Sequence, residues 1–209
     1  MNAPLDFELQ RLEHDHPYLR ERGFTDETNK TFGLGYCHRG LMKGRIAIPL
    51  HDKERTLIGY AGRIVDEGAI GKDTPRYLFP GGRERNGARH EFRKSAFLYN
   101  GFRVGNPSQL VVVESFTAVW WLTQAGIKNV VALMGASCSE TQADLLRDLV
   151  PEGGSIWLLP DGDKVGERMA EEALMMLAPY RFVRLVKLYE GQQPTDVGKE
   201  DLLVRLPAA

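Results

Sequence analysis

Two cysteines in 209 residues, Cys37 and Cys138, are too few and too far apart for a disulfide framework or a four-cysteine zinc site within this chain. No apolar run approaches the ~18 residues that a membrane-crossing helix needs. The opening stretch MNAPLDFELQRLEHDH is too acidic and polar for a secretory signal, so the chain is expected in the cytoplasm with no membrane partner. The pattern GxxxxGK[ST] is missing, which excludes an ordinary P-loop ATPase. Internal repeats and low-complexity tracts are also missing, and the net charge is only −1.

The small net charge hides an uneven distribution. From Arg39 to Arg103 there are 14 Lys/Arg against 7 Asp/Glu. From Leu110 onward there are 9 against 14. A basic segment next to an acidic one suits a polyanion surface beside a cation site, although charge also fluctuates along any chain.

The periodicity changes at about the same place. Residues 6–22 carry Phe7, Leu9, Leu12 and Leu19 at helical spacing, with Pro17 interrupting. GRIAIPL (44–50) and TLIGYAGRIV (56–65) read as strands joined by the polar turn HDKER, hence a hairpin. PRYLFP (75–80) is a third extended piece, GGRERNGARHEFRK (81–94) a basic loop, and AFLYN (96–100) is apolar again. Then apolar strands alternate with helices: LVVVE, SFTAVWWLTQAG, NVVALM, a helix opening at Ser139 and Gln142, SIWLLP, a helix over 164–178, and FVRLVKL. Such alternation predicts a mostly parallel sheet covered by helices. The expected organisation is a small mixed α/β lobe over residues 1–105 and a Rossmann-like α/β domain over 106–209.

The candidate chemistry lies at strand ends. In an open parallel sheet, ligands bind at the carboxyl ends of the strands. LVVVE ends in Glu114, and SIWLLP runs into Asp161-Gly162-Asp163. Neighbouring strands lie ~4.8 Å apart, close enough for these carboxylates to share one site. Gly162 would let the backbone turn and leave room for a ligand. Clustered oxygen ligands suit a hard cation such as Mg2+ or Mn2+, which binds phosphates and assists phosphoryl transfer. A plainer reading makes Asp163 a helix N-cap and Asp161 a turn residue.

The order VVVES–helix–VVALMG–LLPDGDKVGERMAEEAL resembles the TOPRIM domain of bacterial DnaG-type primases and related phage and plasmid proteins. GRIAIPLHDKERTLIGYAGRIV, PRYLFP and FRKSAFLYN are similar to the amino-terminal lobe of the primase core. The resemblance covers roughly residues 32 to 200. It implies a nucleotidyltransferase making short primers on single-stranded DNA from nucleoside triphosphates. Glu114, Asp161 and Asp163 would be its catalytic metal-holding acids, with Asp196 as a further ligand. It assigns nucleotide and nucleic-acid contacts to Arg63, Arg76, Tyr77, Lys94 and Lys164. Plainer roles for these are surface strand charge and loop solvation.

Departures from the family pattern leave two alternatives open. The acidic-strand motif EGYxD is ESFTA here, with Ala118 at a position where primases often place another acid. A late motif resembling DPD is QQPTD, with Gln193 ahead of Asp196. They motivate a non-catalytic nucleic-acid-binding replication scaffold, and another TOPRIM chemistry, that of a metal-dependent nuclease, is the other alternative. The primase zinc-binding module and helicase-binding region have no counterpart in these residues, which implies a helicase or a separate zinc-binding, template-recognition chain as partner. Among weaker candidates, Cys37-His38 reads as structural, and Cys138 as a small helix-start residue whose position could lower its pKa. Of the adjacent Trp120 and Trp121, only one can face the core, so the other is expected to face a partner.

Overall fold

A computed structural model of the chain describes residues 2–85 and 87–207. Asn86, inside the stretch read as a basic loop, lies outside the described residues. The chain divides into two compact units, Met1–Arg93 and Lys94–Ala209. The division falls before AFLYN rather than at residue 105, because that segment is tied to the second unit. Tyr99 forms a β-bridge with Ala132, and Asn100 Nδ2 donates to Val130 O at 2.8 Å.

In the first unit, helices α1 (Pro17–Glu21) and α2 (Asp26–Phe32) precede β1 (Gly35–Cys37), β2 (Arg45–His51), β3 (Leu57–Ile64) and β4 (Tyr77–Leu78). These strands form one antiparallel sheet in the order β1-β2-β3-β4. The β2–β3 hairpin is the one expected around HDKER. The expected helix over 6–22 is not formed. The chain is helical only from Pro17, which starts α1 rather than interrupting a longer helix; a missing N–H costs nothing at a first helical position. Upstream, Leu5 N donates to Leu57 O at 2.7 Å and Glu13 bridges Tyr36. Leu5, Leu9 and Leu12 pack on the cluster of Cys37, Met42, Ala47 and Tyr60 in extended chain. The basic stretch also differs from expectation. It holds a short hairpin, β5 (Arg83–Arg85) and β6 (Ala88–His90), turning at Gly87 with φ +73°.

In the second unit, β7 (Gln109–Val113), α3 (Phe116–Ala125), β8 (Val130–Ala132), α4 (Glu140–Leu149), β9 (Ser155–Leu158), α5 (Lys164–Leu177) and β10 (Phe182–Leu185) alternate, and α6 (Lys199–Arg205) follows. The strands make a fully parallel sheet in the order β10-β9-β7-β8. Leu110, Val112, Ile156 and Leu158 pack with Leu146, Met169, Ala173 and Leu177 from α4 and α5. Their alternates Val111 and Val113 are equally buried, so the central strand is covered on both faces, as its unbroken apolar run requires. The starts of α3, α4 and α5 are chemically marked. Ser115 caps α3, Ser139 and Gln142 form a reciprocal capping box on α4, and Asp163 caps α5. Among the described residues no helix is long and apolar enough to cross a membrane.

The tryptophan pair is absorbed within the chain. Trp120 is buried and donates to Tyr99 Oη at 2.9 Å. Trp121 donates to Val197 O at 2.9 Å, so its indole N–H holds the chain's own later segment rather than a partner. Both cysteines are buried and free. Burial, helped by Glu172, pushes the Cys138 thiol up to about 11, the reverse of the shift its helix-start position suggested.

Candidate active site

Strand order decides what the acids can do together. The connection from β7 through α3 goes to β8 on one side, and the chain then returns to place β9 on the other. The carboxyl ends of β7 and β9 are thus neighbours at the point where the winding reverses, the usual ligand crevice of such sheets. Val112 pairs with Leu158, and Leu159 N donates to Val112 O at 2.9 Å. Glu114 follows β7 directly, and its Oε1 accepts the Asp161 backbone N–H at 2.9 Å. The side chain on one strand end therefore holds the backbone of the next.

The turn after Asp161 is tight. Asp163 N donates to Asp161 O at 2.9 Å, and Asp163 Oδ1 accepts from Val165 N and Gly166 N at 2.9 and 2.8 Å. Asp163 is thus the N-cap of α5, as the plainer sequence reading had it, with its other oxygen in no hydrogen bond among the described residues. A Cβ on Gly166 would collide with Asp161 O and Glu114 Oε1, so only glycine lets α5 start this close to both acids. The room at Gly162 serves a different purpose from the one expected. A Cβ there would strike Tyr189 O, so the missing side chain admits the 189–192 backbone rather than a ligand. Gly162 N donates to Gln192 O, and Gly191 N to Gly162 O, both at 2.7 Å.

The charges in this crevice oppose one another. Burial raises the Glu114 carboxyl to about 7 against the lowering effect of the Asp161 N–H, with smaller upward pushes from Asp161 and Asp163. Asp161 is also raised, first by burial; Gln193 lowers it, and Asp163 and Asp196 push it up. Gln193 Nε2 donates to Asp161 Oδ2 at 2.9 Å, and Asp196 Oδ2 accepts from Gln193 N at 2.7 Å. A cavity of about 500 Å3 opens beside the turn, lined among others by Asp161, Asp163, Lys164, Glu167, Lys187 and Glu190.

An all-oxygen donor set with unshared carboxylate oxygens and mutual repulsion fits a hard divalent cation. Among the described residues, however, no group of three or more His, Cys, Asp or Glu side chains is arranged as a formed metal cage. The reason is visible in the bonds above. Asp163 is turned to its own helix and Asp196 to the Gln193 backbone, which leaves Glu114 and Asp161 as the coupled pair.

The domain so built has a known family. Residues 108–186 match the Toprim domain. This chain carries a Toprim domain. It resembles the catalytic core of DnaG-type primases over most of its length. It is 32% identical to the Escherichia coli (strain K12) DNA primase over 79% of this chain and 28% of that protein. It is 28% identical to the Pseudomonas aeruginosa DNA primase over 93% of this chain and 34% of that one. The chain therefore spans about a third of the curated relatives it matches. Among solved structures, a DnaG primase catalytic domain bound to single-stranded DNA superposes with a TM-score of 0.75 at 25% identity, covering 93% of this chain and 74% of that one. The E. coli primase catalytic core gives 0.71 at 26%, covering 90% and 71%.

The remaining candidates are distributed between the units. Lys164 lies with the acids, lining the cavity beside the Toprim turn. Lys94 Nζ donates to Met134 O at 3.2 Å, at a backbone position of positive φ (+60°) just past β8. In the first unit Arg76 is exposed and lies 3.8 Å from Glu67. Arg63 is not a surface charge. It is 2% exposed, donates to Ile64 O at 2.7 Å, pairs with Glu67, and lies over the rings of Tyr77 and Tyr18 at 5.4 and 5.8 Å. Tyr77 is half-buried beneath it. Sequence reasoning noticed Gln193 only as a lost acid; its contact with Asp161, 32 residues away in the chain, has no local signature.

Proposed function

We propose that the chain carries out divalent-metal-dependent nucleotidyl transfer, making short primers on a single-stranded DNA template. The observation that carries this reading is the placement of Glu114 and Asp161 at adjacent carboxyl ends of β7 and β9, where Glu114 Oε1 holds the Asp161 backbone N–H and both carboxyls are raised by burial and by neighbouring acids. The primase relatives supply the reaction class; the acids supply the place for it. A bound Mg2+ or Mn2+ would neutralise a nucleoside triphosphate and the attacking and leaving oxygens. Glu114 and Asp161 would hold it, with Asp163 and Asp196 adding oxygens when their side chains turn from the α5 cap and from Gln193 N. Lys164 serves the phosphates from the cavity rim. Arg76, Tyr77 and Lys94 contact template or nucleotide, and the buried Arg63 acts through the Tyr77 ring it packs over. A helicase or a separate zinc-binding, template-recognition chain would supply the functions that lie outside these residues.

The test is direct. The protein is incubated with single-stranded template, labelled nucleotides and Mg2+ or Mn2+. A ladder of short products, reduced on the order of a hundredfold or more in Asp161→Asn, supports the proposal. Shortened template in place of new product points to a nuclease. Binding of DNA with neither activity leaves a replication scaffold.

A further inference from the structure

From the bonds around the late QQPTD segment we infer that Gln193 is a positioning residue for Asp161, and that its amide sets which oxygen of Asp161 is offered to a divalent cation. This rests on the metal reading above and goes beyond it, because a glutamine is not itself expected among hard-cation ligands ahead of carboxylates. Three observations support it. First, Gln193 is exposed yet its Nε2 is fixed on Asp161 Oδ2 at 2.9 Å, leaving Oδ1 as the oxygen without a hydrogen bond. Second, the segment carrying Gln193 is itself held against the turn. Gly162 N donates to Gln192 O and Gly191 N to Gly162 O. Asp196 Oδ2 accepts Gln193 N, which fixes the backbone from which the amide reaches. Third, the far end is anchored on α3 by Trp121 donating to Val197 O at 2.9 Å. The strap from Tyr189 to Val197 thus joins a helix on one side of the crevice to the metal-holding turn.

An amide at this point does two things a carboxylate could not. It adds no charge to a crevice where Glu114 and Asp161 already repel each other, and it donates, so Asp161 is held when no cation is bound. Replacing it separates these effects. Gln193→Ala removes donor and reach. Gln193→Asn keeps an amide but is one methylene shorter, too short for the observed bond. Gln193→Glu keeps the reach, loses the donor and adds a negative oxygen ligand.

The experiment is Mn2+ binding to the full chain, read from the free-ion electron paramagnetic resonance signal, with thermal melting as the folding control. Gln193→Ala and Gln193→Asn should weaken Mn2+ binding by about ten- to a hundredfold, the loss expected of one hydrogen bond to a charged group, with melting little changed. Gln193→Glu should bind Mn2+ more tightly than the unsubstituted chain. Trp121→Phe, which keeps the ring but loses the N–H, should weaken binding in the same direction as Gln193→Ala. Equal Mn2+ affinity in Gln193→Ala and the unsubstituted chain overturns the positioning role alone. Absence of Mn2+ binding by the unsubstituted chain overturns both this inference and the metal reading.

Discussion

Glu114 sits where its charge is least welcome. Its carboxyl, raised to about 7, binds a proton in the folded chain at pH values where the unfolded chain has released it. Folding is then favoured at lower pH: the metal-free protein loses stability as pH rises from about 5 to about 7, and the loss is complete above the folded pKa. Asp161, raised in the same direction, adds to it. Glu114→Gln should therefore melt higher than the unsubstituted chain above pH ~7.5 without metal, with a flatter pH profile, while losing metal binding. Calorimetry across this range checks it; a variant that melts lower at every pH would contradict the electrostatic account. The acids were legible in the sequence because strand ends and glycine turns are local patterns. Arg63 was not legible as a buried residue. Its strand GYAGRI has both faces covered, so the outward position that alternation suggests does not exist.

At the scale of elements, Asp163 is the cap of α5 through one oxygen, and the proposed metal role would draw on the same side chain. The two can be separated. Asp163→Ala and Asp163→Ser remove the same charge, but serine can still accept from the first turn of α5. Asp163→Ala should be less stable than Asp163→Ser by about 1 kcal/mol. That is a melting difference of roughly 2–4 °C in a chain of this size. Both should lose metal binding. If the two variants melt together, the cap contributes nothing. The parallel alternation and the caps at Ser139 and Asp163 were readable because strand period and helix starts are set within a few residues. The misread helix over 6–22 shows the limit: leucines at helical spacing pack equally well from extended chain when a sheet lies nearby to receive them. In the basic stretch, arginines concealed the hairpin that Gly87 allows.

For the whole molecule, the basic excess lies between Arg39 and Arg103, running across the boundary at Arg93, and the acidic excess lies after Leu110. If the basic part holds template phosphates, binding to single-stranded DNA should weaken steeply with salt. Arg76→Ala and Lys94→Ala should each lower the slope of log affinity against log salt by about 0.7. Unchanged slopes would remove these two from the template contacts. The central claim is that the carboxyl edge between β7 and β9 holds a divalent metal, and crystals of the protein soaked in Mn2+ test it directly. The account predicts an anomalous-density peak roughly 2.1 Å from carboxylate oxygens of Glu114 and Asp161, and its disappearance in Asp161→Asn. A soaked crystal with Mn2+ bound only elsewhere, or an unchanged peak in Asp161→Asn, would contradict it.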